Sequence, residues 1–152
     1  MNMLKRLAGL VLLTWLGANP VAAEDLMMAR SPRMFPEAMA ALQEAIREQG
    51  YTITRLQQVN ENLSKRDYAS DVYRVVFFGK YEEVRALAAS YPELVPFLPL
   101  NVTIFAEGNN AIVMAAHPRT LEAFFPEPKL KPVFERWEAD LSKIMAAVRS
   151  SD

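Results

Sequence analysis

The sequence contains no cysteine. That excludes disulfides, thiol nucleophiles and thiolate metal sites, so the fold must rest on packing alone. It contains a single histidine, His117, with no companion at metal-ligand spacing. Glycine is scarce, five in 152 residues, and none builds a phosphate-cradling loop. No serine stands in a nucleophile elbow. There is no excess of positive charge: 17 basic residues face 18 acidic ones. A phosphate-backbone footprint is therefore missing, which argues against nucleic acid as a partner. No apolar run reaches the roughly 20 residues that a membrane-spanning helix needs.

What is present begins at the N-terminus. Lys5 and Arg6 precede an apolar run from Leu7 to Ala18. Val21 and Ala23 then supply small residues at the −3 and −1 positions before Glu24. This is the layout of a secretory signal peptide over residues 1–23, cleaved after Ala23. An uncleaved anchor is the competing reading. The expected address is the periplasm of a bacterium with two membranes, with no membrane attachment after cleavage. The mature chain, residues 24–152, is one domain's worth and long enough for a real core. Removing Lys5 and Arg6 leaves 15 basic residues against 18 acidic ones, a net charge of −3.

Periodicity gives the elements. A short strand is predicted over 24–31. Met39, Leu42 and Ile46 then share a helical face, with Pro36 suited to the first turn and Gly50 to the position past the end. "YTITRLQQV" alternates and reads as a strand. The polar stretch 60–71 reads as a loop. "VYRVVFFG" is a strand and "KYEEVRALAAS" a short helix. "YPELVPFLP" is a crossing broken by proline. "LNVTIFAE" and "AIVMAAH" are two strands around a tight turn at Gly108. The last element is a long helix whose apolar stripe runs from Val133 through Trp137 to Val148. The turn at Gly108 is too short for a parallel connection, so the domain is α+β, a mostly antiparallel sheet with two main helices on one face.

"YRVVFFG", "LPLNVTIF" and "AHP", preceded by the helix–Gly–strand unit, resemble the bacterial family known as domain of unknown function 302. The likeness covers about Pro36 to Pro118. It implies a TATA-binding-protein-like fold of strand, helix, four strands and helix, and carries no DNA binding with it. It implies no activity and no catalytic residue. Many relatives carry a cysteine in the Leu-Pro-x-Asn motif where this chain has Leu100, so any role of that thiol is lost here.

Sorting strands by alternation, and matching faces by composition, gives two sides. Tyr73, Val75, Phe77, Val102, Ile104, Ala106, Ile112, Met114 and Ala116 form an apolar side expected under the helices. Arg74, Val76, Phe78, Asn101, Thr103, Phe105, Glu107, Val113, Ala115 and His117 form a mixed side. From it Arg74, Phe78, Thr103, Phe105 and His117 are the candidate ligand-binding residues. Three readings of that side stand: a face covered by the short helix and "TLEAFF", a homodimer seam, or a cleft for a small apolar or amphipathic ligand.

No catalytic residue, cofactor or metal site is expected from the pattern. His117 reads as a strand-end residue, and Met27, Met28, Met34 and Met39 read as packing rather than a thioether copper site. The functional expectation is an exported, non-catalytic binding or interaction module. The alternatives are a periplasmic enzyme assembled from distant residues and a Met/His copper-binding protein.

Overall fold

The computed structural model describes residues 25–58 and 73–150. The expected signal peptide and the loop 60–71 lie outside the described residues. The elements are β1 (Leu26–Ser31), α1 (Phe35–Glu48), β2 (Thr52–Gln58), β3 (Tyr73–Gly79), α2 (Tyr81–Ser90), β4 (Leu100–Glu107), β5 (Asn110–Ala116) and α3 (Lys131–Arg149). Short 3₁₀ segments, Pro92–Phe97 and Pro118–Ala123, fill the proline-broken links. The five strands form one antiparallel sheet in the order β1-β5-β4-β3-β2. The α+β architecture and the order of elements are those expected from the sequence.

Local chemistry sets the boundaries. Pro36 sits in the first turn of α1, where its missing N–H costs nothing. Gly50 follows that helix with φ 76°, a left-handed conformation that only glycine adopts freely, and it turns the chain into β2. Gly108 takes φ 59° in the two-residue turn between Glu107 and Asn110, which face each other across the β4–β5 hairpin.

Two apolar cores form. In the larger, Ala38, Leu42, Ala45 and Ile46 of α1 and Leu141, Ile144, Met145 and Val148 of α3 pack on Val76, Phe78, Val102, Ile104, Val113 and Ala115 of the sheet. In the smaller, Phe134 and Trp137 from the first half of α3 meet Leu87, Leu94, Phe125 and Leu130. The continuous stripe of α3 therefore serves two cores, one over the sheet and one at its end.

The register overturns the sorting of faces. Val76 lies opposite Val102, and Ile104 lies opposite Val113. Directly opposed residues share a face. The helix-covered side therefore consists of Arg74, Val76 and Phe78 with Val102, Ile104 and Ala106 and with Val113 and Ala115. The other side consists of Tyr73, Val75 and Phe77 with Asn101, Thr103 and Phe105 and with Ile112, Met114 and Ala116. The sequence-based grouping kept β4 correct and inverted β3 and β5 relative to it. The physical cause is that both faces of β3 and of β5 are apolar, so composition does not say which way a strand faces. A one-residue change of register exchanges the two sets.

Candidate functional site

The five candidate binding residues do not share a surface. Phe78 is fully buried in the main core, edge-on to Tyr51 at 5.3 Å. Arg74 lies on the helix side, with its guanidinium 6.0 Å from the Phe35 ring and Nη1 donating to the Tyr73 carbonyl at 2.9 Å. Thr103 and Phe105 lie together on the opposite side. His117 lies past the end of β5, against α3.

That opposite side is the more distinctive surface. Phe105 stacks on Tyr73 with centroids 5.3 Å apart and planes at 28°. Ile112 stands opposite Phe105, and Met114 stands opposite both Thr103 and Met28. Leu26 and Met28 extend the apolar area onto β1, at 57% and 52% exposure. Among the described residues α1 and α3 pack on the other side, and α2 meets this one at its far end, where Val84 nears Gly79. Charge sits at its margins: Arg30 pairs with Glu107, and the Arg55 guanidinium lies 5.9 Å from the Phe77 ring. Two depressions mark the face. One, about 290 Å³, lies among Leu26, Tyr73, Thr103, Phe105 and Met114. The other, about 380 Å³, lies at the far end among Thr52, Thr54, Gly79, Tyr81, Val84 and Pro99. A Cβ on Gly79 would stand 2.9 Å from Val84 Cγ2, so glycine permits the close approach of α2 to β3.

His117 is built as a cap. Its Nδ1 accepts the Arg119 backbone N–H at 3.3 Å, opening the 3₁₀ segment that follows. Its carbonyl accepts the Thr120 hydroxyl at 2.7 Å. With Nδ1 accepting, the neutral ring carries its proton on Nε2. Nε2 faces Glu138 Oε1 at 3.5 Å. A metal-ligating histidine holds the reverse pattern, with its second nitrogen donating. Glu138 thus reaches from α3 back to the end of β5.

The methionines do not converge. Met27 and Met39 pack against the main core, while Met28 and Met34 are exposed at 52% and 56%. Among the described residues no group of three or more His, Cys, Asp or Glu side chains is placed to hold a metal ion.

A polar seam beneath the helices was not anticipated. The Tyr51 hydroxyl donates to Asp140 Oδ2 at 2.8 Å. Arg136 pairs with Glu83, and Trp137 Nε1 donates to Glu83 Oε2 at 3.3 Å. The Lys80 ammonium stands 4.6 Å from the Tyr51 ring. The signal in the sequence was Asp140, an acid directly beside the apolar stripe of α3; its partner, 89 residues earlier, was invisible.

Burial, reinforced by the hydrogen bond to Asp140 and its charge, pushes the Tyr51 phenol well above its ordinary value of 10.0. Above pH 10.0 the unfolded chain releases this proton while the folded chain keeps it. The stabilisation is thus complete below that pH and is lost as pH rises toward the folded value. Tyr51→Phe should make the alkaline fall in stability shallower by about 1.4 kcal/mol per pH unit. At pH 7 the same change should cost about 1–3 kcal/mol, because a buried carboxylate loses its donor. Urea titrations at pH 7 and pH 11 check both signs.

These features meet the comparisons with known proteins. The family model described as "Domain of unknown function DUF302" matches residues 27–148. This chain belongs to the DUF302 family. No curated protein matches it. A solved DUF302 structure, an uncharacterised conserved protein from Bacillus stearothermophilus, is 17% identical and superposes with a TM-score of 0.75, covering 84% of this chain and all of that one. At that identity the likeness shows the fold. The DUF302 match takes in β2 to β5, all of β1 but its first residue, and both cores, and reaches to the last core residue of α3, Val148.

Proposed function

We propose that this DUF302 protein is an exported, non-catalytic interaction module that pairs with a second copy of itself through the uncovered face of its sheet. One observation carries the reading: a largely apolar sheet face bearing the Tyr73–Phe105 stack, which α1 and α3 leave uncovered. Soluble monomers rarely expose apolar patches of more than a few hundred Å². Five strands about 4.8 Å apart and seven residues long present a face of about 550 Å², so two copies would bury about 1,100 Å². That clears the roughly 1,000 Å² expected of a specific interface. The margin suits a rim, since Arg30, Glu107 and Arg55 surround an aromatic centre. Export rests on Lys5 and Arg6, the apolar run and the small residues Val21 and Ala23.

Phe105→Ser tests the pairing. The fold should survive, because Phe105 lies outside both cores. Losing a central aromatic anchor costs about 2 kcal/mol or more, about thirtyfold in Kd. Sedimentation at micromolar concentration should move from dimer to monomer. A wild-type monomer, or a variant that remains dimeric, defeats the reading. N-terminal sequencing of cell-derived protein should begin at Glu24; an intact Met1 in the membrane fraction refutes export.

The depression of about 290 Å³ supports a second reading, a small apolar or amphipathic ligand held beside Thr103 and Phe105. Arg74 would not anchor its head group from the opposite face. On this reading Phe105→Ser leaves the oligomeric state unchanged and abolishes the thermal shift given by a medium-chain fatty acid.

A further inference from the structure

β1 forms one edge of the sheet. Its hydrogen-bond parity follows from a single bond. The His117 N–H donates to the Asp25 carbonyl at 2.9 Å, and the next pair along is Leu26 opposite Ala116. In an antiparallel ladder, bonded and non-bonded pairs alternate. Met27, Ala29 and Ser31 therefore spend their backbone groups on β5, while Leu26, Met28 and Arg30 turn theirs outward. The Met28 carbonyl agrees, since it accepts Arg149 Nη2 at 2.7 Å.

Alongside this edge runs one face of α3. Glu138, Ser142, Met145 and Arg149 recur at intervals of four, three and four, and with Leu26 and Met28 they line a groove of about 460 Å³. The groove has two poles. Glu138 marks the acidic end, where Glu122 also faces Arg119. Arg149 marks the basic end, where Arg33 reaches the Ala147 carbonyl. At 1.5 Å per helical residue the poles are about 16 Å apart. An extended chain rising about 3.3 Å per residue covers about 13 Å over four positions, an even spacing that keeps both side chains on one face, and long charged side chains span the remainder.

We propose that this groove binds an extended peptide of another protein by strand addition to β1. The peptide carries a basic residue against Glu138 and, about four positions away on the same face of its strand, an acidic residue against Arg149, with small β-branched residues between. Its backbone pairs with Leu26, Met28 and Arg30, and strand addition draws its affinity from such main-chain bonds. In the free protein Arg149 covers the Met28 carbonyl and protects the edge from non-specific pairing. In the complex it exchanges that carbonyl for the peptide's carboxylate.

Two capped pentapeptides, Lys-Val-Thr-Val-Glu and its charge-reversed counterpart Glu-Val-Thr-Val-Lys, are the probes, used with the mature chain. One charge order should bind, and amide exchange at Leu26, Met28 and Arg30 should slow about tenfold or more, with Met27 and Ala29 unchanged. Met28→Pro should abolish binding, because it removes an outward N–H that no β5 residue uses. Glu138→Lys combined with Arg149→Glu should reverse which peptide binds, and decides the matter if Met28→Pro does not fold. The proposal is overturned if neither peptide slows those amides, if Met28→Pro binds as wild type does, or if the charge swap leaves the preference unchanged. Concentration-dependent protection of the same amides without peptide also overturns it, since a second copy would then occupy the edge.

Discussion

Trp137→Ala is expected to destabilise the protein by about 3–5 kcal/mol, the range for deleting a large buried aromatic. Trp137 is 1% exposed and lies 5.6 Å from the Phe134 ring. Its Nε1 also donates to Glu83 Oε2 at 3.3 Å, which ties α3 to α2. The substitution therefore empties the centre of the smaller core and removes one of the two bonds holding Glu83. Net stabilities of domains are about 5–15 kcal/mol, so a loss of this size removes a large share. Urea unfolding of both proteins measures it. A loss below about 1 kcal/mol, typical of surface changes, would mean that the smaller core does not hold α3.

Neighbouring phenylalanines should behave oppositely. Phe78→Ala is expected to cost about 3–5 kcal/mol, because its ring is fully enclosed by the main core against Tyr51. Phe77→Ala should cost about 1 kcal/mol or less in the monomer, as its ring lies half-buried on the uncovered face beside Arg55. If that face pairs two copies, the Phe77 change should appear instead as weaker self-association. The two variants differ by one position, so their ratio reads out which way β3 faces. Equal costs would contradict the pairing of Val76 with Val102.

That contrast marks the limit of what the sequence made legible. The elements were readable because their signals are local: Pro36 and Gly50 bracket α1, Gly108 turns the hairpin, and the stripe of α3 repeats at helical period. The domain family was readable from "LPLNVTIF" and "AHP", which mark strand ends. The candidate site was not, because it depends on register. β3 reads Tyr-Arg-Val-Val-Phe-Phe-Gly, apolar on both faces, so alternation alone left two arrangements. Only the partner strand decides between them. Thr103 and Phe105 were grouped correctly with each other, since they share a strand. Arg74, Phe78 and His117 were joined to them by composition and belong to the other side. The Tyr51–Asp140 bond was hidden for the same reason: it links residues distant in the chain.

The division of α3 between two cores also shapes how the molecule comes apart. Among the described residues, Leu100 is the partly buried apolar side chain packed against both cores. The smaller core recruits α2, both 3₁₀ segments and the first two turns of α3, none of which contributes a strand to the sheet. Such a region forms a natural cooperative unit that opens below the global unfolding free energy. It would release the start of α3 while Leu141 to Val148 stay seated. Leu100 is then the joint between a rigid frame and a detachable cap.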